Sequence, residues 1–189
     1  MDRAVDTATN CDMPVAGPRG GAGTGALVRD GDRVIVHDPG MVPGPSSILD
    51  PLQAADIHPE EVTDLVISHH HPDHTRWMGL FPIAVLHDYW ASYDGDVWDS
   101  RPAEGVQLTP SVTLLETPGH TREDITTLVE TDAGTVALTH LWWTASSESD
   151  PRGTDLDALH QHRARVLERA VRIVPGHGPA FDVSDETPR

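Results

Sequence analysis

The chain has no lysine, which excludes chemistry built on a Schiff-base amine or on the lysine of a phosphate-gripping loop. Its single cysteine, Cys11, lies near the start and excludes a disulfide framework, a Cys-rich zinc module and a CxxC redox pair. No apolar run approaches the roughly 20 residues of a membrane-spanning helix. Residues 1–13 are polar and acidic, without the basic and apolar regions of a signal peptide, so a cytoplasmic protein is expected. Positive charge is scarce. Thirteen basic residues, all arginine, face 30 acidic ones, for a net charge of −17. That balance argues against a broad nucleic-acid footprint, which needs patches of Lys and Arg on phosphates. The 189 residues suit one domain with a proper core. What the chain has in excess is histidine, with 12 residues.

Glycine and proline punctuate the sequence. Residues 1–23 are rich in small and polar types and read as a flexible N-terminal arm. Apolar runs at 25–28 and 33–37 flank Arg29-Asp30-Gly31-Asp32, a hairpin signal. A helix is expected with Asp50 as its N-cap and Pro51 in its first position. Strands are read at 64–68, 82–87, 111–116, 125–130, 135–139 and 172–175, with a short helix after the first of these through Met78. Residues 88–105, carrying Tyr89, Trp90, Tyr93 and Trp98, read as a long loop or broken helix. Thr154 is expected to cap a helix whose stripe is Leu156, Leu159, Arg163, Val166, Leu167 and Ala170. The acidic end, 182–189, reads as frayed. Strands in both halves with helices between them predict two sheets carrying helices on their outer faces.

Six histidines fall at the ends of these strands: His69, His71, His74, His120, His140 and His177. Strand ends are where loops converge, so segments distant in sequence can meet there. His69 and His71 are two apart and can share a side; Asp73 and His74 follow one short turn later. Neutral imidazoles with a carboxylate suit zinc, and equally iron or manganese. His120 and His177 sit in Pro118-Gly119-His120 and Pro175-Gly176-His177-Gly178, turns that permit close approach. Trp77 is expected in the core, whereas Trp90, Trp98, Trp142 and Trp143 are open to either a core or a pocket-wall role. His70 is expected at the surface.

Together these residues form a known pattern. His69-x-His71-x-Asp73-His74, preceded by Asp38-Pro39-Gly40 and followed by Thr117-Pro118-Gly119-His120-Thr121 and Pro175-Gly176-His177-Gly178, resembles the metallo-β-lactamase superfamily. Gly79-Leu80-Phe81-Pro82 and the run from Val174 to Phe181 are similar to its small single-domain members, those related to metallo-β-lactamase-domain-containing protein 1. The resemblance implies an α/β chain of the α+β kind: a four-layer αββα sandwich of two mixed sheets over 24–181. It implies that His69, His71 and His120 hold one metal and that Asp73, His74 and His177 hold a second. Asp38 would orient a ligand imidazole from behind.

One position departs from the family pattern. Most members carry a bridging Asp where this chain has His140. An imidazole brings no negative charge, so a pair of cations would be less well compensated. The expectation is therefore a more weakly bound second metal, or His140 as a terminal ligand to one ion, or His140 as a packing or hydrogen-bonding residue. The activity implied is hydrolysis by a metal-bound hydroxide, with Asp73 orienting it and His140 as a candidate proton donor. One or two zinc ions are the expected cofactor, with manganese or iron as substitutes. The expected substrate is a small ester, thioester or lactone. Phosphodiester cleavage of RNA or DNA ranks second, and a non-catalytic metal-binding scaffold third. No membrane partner is expected.

Overall fold

The structure, a computed structural model, describes residues 22–189. Strands β1 (Ala26–Asp30) and β2 (Arg33–His37) form the hairpin expected around Gly31. Helix α1 (Ser46–Ala54) leads to β3 (Asp64–Val66), α2 (Pro72–Thr75), β4 (Val85–His87), β5 (Ala91–Asp94) and β6 (Val97–Ser100). The second half comprises β7 (Gln107–Thr109), β8 (Val112–Glu116), β9 (Ile125–Thr131), β10 (Gly134–Thr139), α3 (Leu156–Leu167), β11 (Ala170–Pro175) and β12 (Phe181–Asp182). The described residues make two six-stranded sheets, one ordered β1-β2-β3-β4-β5-β6 and the other β12-β11-β10-β9-β8-β7. Both are mixed, with β2-β3-β4 parallel in the first and β10-β11 parallel in the second.

Alternation along the strands builds the layers, because successive side chains of a strand point to opposite faces. Ala26, Val28, Ile35 and Val66 of the first sheet meet Val112, Leu114, Ile125, Val129, Val136, Leu138 and Val174 of the second in a shared core. Their neighbours point outward. Leu27, Val36, Leu65 and Ile67 pack with Leu52 of α1, Ile57, Val62 and Phe81 on one outer face. Leu115, Leu128, Ala137 and Ile173 pack with Leu159 and Val166 of α3 on the other, beside Leu141 and Trp142. Three apolar seams between four layers give an αββα sandwich. Among the described residues, no helix is long and apolar enough to cross a membrane.

Several expectations need correction. Helix α1 begins at Ser46 behind Pro45, and Pro51 lies in its interior. An interior proline forfeits one backbone hydrogen bond; burial of Leu52 against the first sheet offsets that loss. Within residues 88–105, 91–100 form the β5–β6 hairpin, turned at Gly95 with φ 60°, and only the flanks 88–90 and 101–105 are loop. The Gly95-Asp96 pair that makes this turn is visible in the sequence. Strands β3 and β4 are shorter than 64–68 and 82–87, and α2 stops at Thr75. Helix α3 is capped by Asp155, whose Oδ1 accepts from the Ala158 N–H at 3.0 Å, one residue later than expected. Its buried stripe is Leu159, Arg163 and Val166; Leu156 is exposed and Ala170 already belongs to β11. The segment 182–189 is docked, since Trp142 Nε1 donates to Pro188 O at 2.8 Å and Ser184 and Thr187 close a turn. Of the N-terminal arm, residues 1–21 lie outside those described, while Ala22 and Gly23 are bound into the molecule.

Candidate metal centre

One edge of the sandwich collects the ends of five strands: β2 delivers Asp38, β3 His69, β8 His120, β10 His140 and β11 His177. Parallel pairing of β2 with β3 and of β10 with β11 puts these ends on the same side. The Ile125 N–H donates to Ser68 O at 2.9 Å and ties the two sheets together there.

At this edge each imidazole but two has Nδ1 committed to a protein acceptor. His74 Nδ1 donates to Asp38 Oδ2 at 2.8 Å and His120 Nδ1 to Asp150 Oδ2 at 2.7 Å. His177 Nδ1 donates to Ala22 O at 3.0 Å. Ser68 Oγ donates to Asp38 Oδ2 at 2.6 Å, so it accepts from His69 Nδ1 at 3.0 Å. Fixing the proton on Nδ1 leaves a lone pair on each Nε2. His71 is reversed. Its Nδ1 lies 3.0 Å from His69 Nε2 and 3.1 Å from His120 Nε2. A single proton can serve only part of that convergence, whereas a cation can serve all three lone pairs.

A second group lies beside the first. Asp73 Oδ2 is 3.6 Å from His74 Nε2 and 3.5 Å from His177 Nε2. The Nε2 atoms of His74 and His177 are buried and have no hydrogen-bond partner, as do both ring nitrogens of His140. A buried polar atom without a partner is costly, so these orphans fit a metal ion in chemistry and in placement. His140 stands between the groups. Its ring stacks on His120 at 4.1 Å between centroids and lies 4.7 Å from His69, 5.0 Å from His74 and 5.1 Å from His177. Candidate ligand atoms of His69, His74 and His140 fall within 4.8 Å of one another.

Electrostatics prepare the donors. Burial, reinforced by the neighbouring His74, pushes His69 down to about 2. Burial likewise drives His140 far below the ordinary histidine range, and lowers His71 and His177. These rings are neutral at pH 7 and present lone pairs. Burial also acts to lower His74, but the charge and hydrogen bond of Asp38 outweigh it and raise this group. Burial would raise Asp38 itself; His37, His74 and Ser68 outweigh it and hold the carboxyl well below the usual range.

The structure thus gathers His69, His71, Asp73, His74, His120, His140 and His177 at one edge, with Asp38 behind. Asp150 and Ser68 were missed. Asp150 lies 30 residues from the histidine it orients, in a polar loop with no motif around it. Among the tryptophans, Trp142 is fully buried in the core, whereas Trp143 stacks on His177 at 4.5 Å. Trp90 and Trp98 are exposed, and Trp77, partly buried, donates to Val42 O at 3.0 Å. His70 is at the surface, paired with Asp88 and lying against Trp90.

Comparison with known proteins bears on the family and the fold. The family model of the metallo-beta-lactamase superfamily matches residues 18–181. Metallo-beta-lactamase domain-containing protein 1 from Homo sapiens is 33% identical over 180 residues, 89% of this chain and 67% of that protein. Its Xenopus laevis counterpart is 33% identical over 146 residues, 72% of this chain and 63% of that protein. The chain therefore spans about two thirds of these relatives. Among solved structures, TTHA1623 in a di-iron-bound form superimposes with a TM-score of 0.66 at 21% identity, covering 91% of this chain and 96% of that one. A quorum-quenching N-acyl homoserine lactone lactonase gives 0.64 at 20% identity, covering 81% and 78%. On the family match and the shared fold, this chain belongs to the metallo-β-lactamase superfamily.

Proposed function

We propose that this protein is a metal-dependent hydrolase of small esters, thioesters or lactones. The observation that carries the reading is the convergence of His69 Nε2, His71 Nδ1 and His120 Nε2 beside the Asp73–His74–His177 group. His69, His71 and His120 would hold one ion, and Asp73, His74 and His177 the other. His140, neutral and orphaned between them, serves as a further ligand rather than as a proton donor. Zinc is the proposed ion; manganese and iron accept the same donors. When bound, such an ion supplies Lewis acidity for a carbonyl oxygen and makes water acidic near pH 7.

The chain's own groups divide the remaining work. Asp73 is partly exposed, with 23% of its side chain accessible, and its carboxylate faces the site. It can orient an attacking water and take its proton at the carboxylate oxygen that does not face His74 and His177. His71 is the exposed member of its triad and marks the mouth through which substrate arrives. Trp143, against His177, forms an apolar wall for the acyl part of a substrate. A net charge of −17 disfavours polyanionic substrates at long range. The likeness to lactone hydrolases, a matter of fold, is consistent with an acyl substrate.

The test is an assay of zinc- and manganese-loaded protein against p-nitrophenyl esters, lactones, thioesters and bis-p-nitrophenyl phosphate. Ester, thioester or lactone turnover is expected, falling at least about 100-fold on chelation or in His71→Ala. Turnover of the phosphodiester alone overturns the substrate class. No turnover of any compound by metal-loaded protein overturns the enzyme.

A further inference from the structure

The donor set assembled here is poor in negative charge. Six imidazoles and the Asp73 carboxylate surround positions suited to two cations; Asp150, the other carboxylate grouped with them, is engaged by His120 Nδ1. Behind the ligands stand two buried carboxylates. Asp38 bonds His74, and Asp150 bonds His120. Asp150 is the shorter contact at 2.7 Å, and its side chain has no solvent exposure. A buried carboxylate must be compensated. The neighbours that face it are His120, the Arg152 N–H at 2.8 Å on Oδ1, the Trp143 indole, the buried Arg163 guanidinium, which offsets part of its charge, and His140, whose ligand atom lies within 4.8 Å. Its loop is locked as well. Gly153 N donates to Asp150 O at 3.1 Å, and Thr154 N donates to His120 O at 3.1 Å. The carboxylate is thus held against one ligand histidine and close to the ring that stacks on it.

We propose that Asp150 is a positioning residue that supplies, through His120, part of the negative charge which the imidazole at position 140 leaves out. The proposal rests on the reading of these histidines as metal ligands. An Asp hydrogen-bonded to a ligand imidazole fixes its tautomer and raises its basicity. With neutral His140 in the centre, that contribution becomes a large fraction of the charge facing the first ion. A carboxylate placed at 140 would deliver charge directly and make Asp150 dispensable. The two positions should therefore be coupled.

The experiment is a double-mutant cycle read by zinc affinity, measured by competition with a chromophoric chelator. Asp150→Asn keeps the shape and an acceptor for the Arg152 N–H while removing the charge. In the otherwise unchanged protein it is expected to weaken zinc binding about 10- to 100-fold. In the His140→Asp background the same change is expected to cost under about threefold. Equal losses in the two backgrounds, or a loss under about threefold in the unchanged protein, overturn the proposal. Should Asp150→Asn fail to fold, as judged by circular dichroism, Asp150→Glu keeps the charge and is expected to bind zinc within about tenfold of the unchanged protein. A loss beyond that overturns the proposal. Hydrolysis does not enter the readout, so a protein that binds zinc in this pattern yet cleaves nothing removes the hydrolase reading and leaves this one standing.

Discussion

At Gly176 there is no room for a side chain. A Cβ built there would lie 2.7 Å from His140 Nε2. Gly176 also donates its N–H to Trp142 O at 2.8 Å, so the backbone cannot retreat without breaking the contact between β11 and the loop after β10. Gly176→Ala is therefore expected to push His140 out of the centre. The overpacking should cost about 1–3 kcal/mol of stability, and the bound metal should fall in elemental analysis of purified protein. Gly95→Ala is the control. It sits at φ 60° in open space, so it should lose about 1–2 kcal/mol by melting and keep its full metal content. A Gly176→Ala protein with unchanged metal content would show that His140 is not a ligand.

The element that shapes the site most is the loop from β10 to α3, because it carries His140, Trp143 and Asp150 together. It is held from below by α3. Arg163, buried in that helix, donates from Nε to Leu141 O and from Nη1 to Glu148 O, both at 2.9 Å. Trp142 lies between this guanidinium, 5.1 Å from the ring centroid, and the C-terminal segment, where its Nε1 meets Pro188 O. Trp142→Ala is expected to cost about 3–5 kcal/mol in denaturant unfolding, the usual range for a buried aromatic. It should also release residues 182–189, read as faster proteolytic nicking of that end. Equal nicking in both proteins would separate the tail from this packing. The acidic sequence of the tail predicts fraying; Trp142 supplies a contact from 46 residues away that no local pattern shows.

At the scale of the whole molecule, strong acidity leaves stability dependent on a few well-placed carboxylates. Asp64 opens β3 and joins three strands. It accepts from Arg33 Nε of β2 at 2.8 Å, from His87 Nε2 of β4 at 2.9 Å and from Thr63 Oγ1 at 2.6 Å. Burial acts to raise this group, but the hydrogen bonds from His87, Thr63 and Arg33 outweigh it and hold it below the ordinary carboxylate range. A depressed folded-state value stabilises the protein above the unfolded value of about 3.9 and loses that contribution as pH falls below it. Acid unfolding should therefore steepen below about pH 4. In Asp64→Asn this limb should flatten, at a cost near neutrality of about 2 kcal/mol. Urea midpoints followed from pH 7 to pH 3 check it, and parallel curves for the two proteins would exclude Asp64 as the source.

Local pattern alone determined much of this protein. Period-two alternation fixed which residues face each seam, since a strand has only two faces. The spacing of His69, His71, Asp73 and His74 exposed half of the centre, because ligands within six residues must share one strand end. The Pro-Gly-His turns exposed His120 and His177. Where two signals competed, the pattern misled: aromatic residues hid the Gly95-Asp96 turn of the β5–β6 hairpin, and Pro51 drew the start of α1 five residues late. Only the tertiary structure decided the partners behind the ligands. Asp150, Ser68, the Ala22 carbonyl and the central place of His140 all arise from contacts between segments far apart in the chain. Such contacts depend on how two sheets meet at one edge, and no local sequence pattern records that meeting.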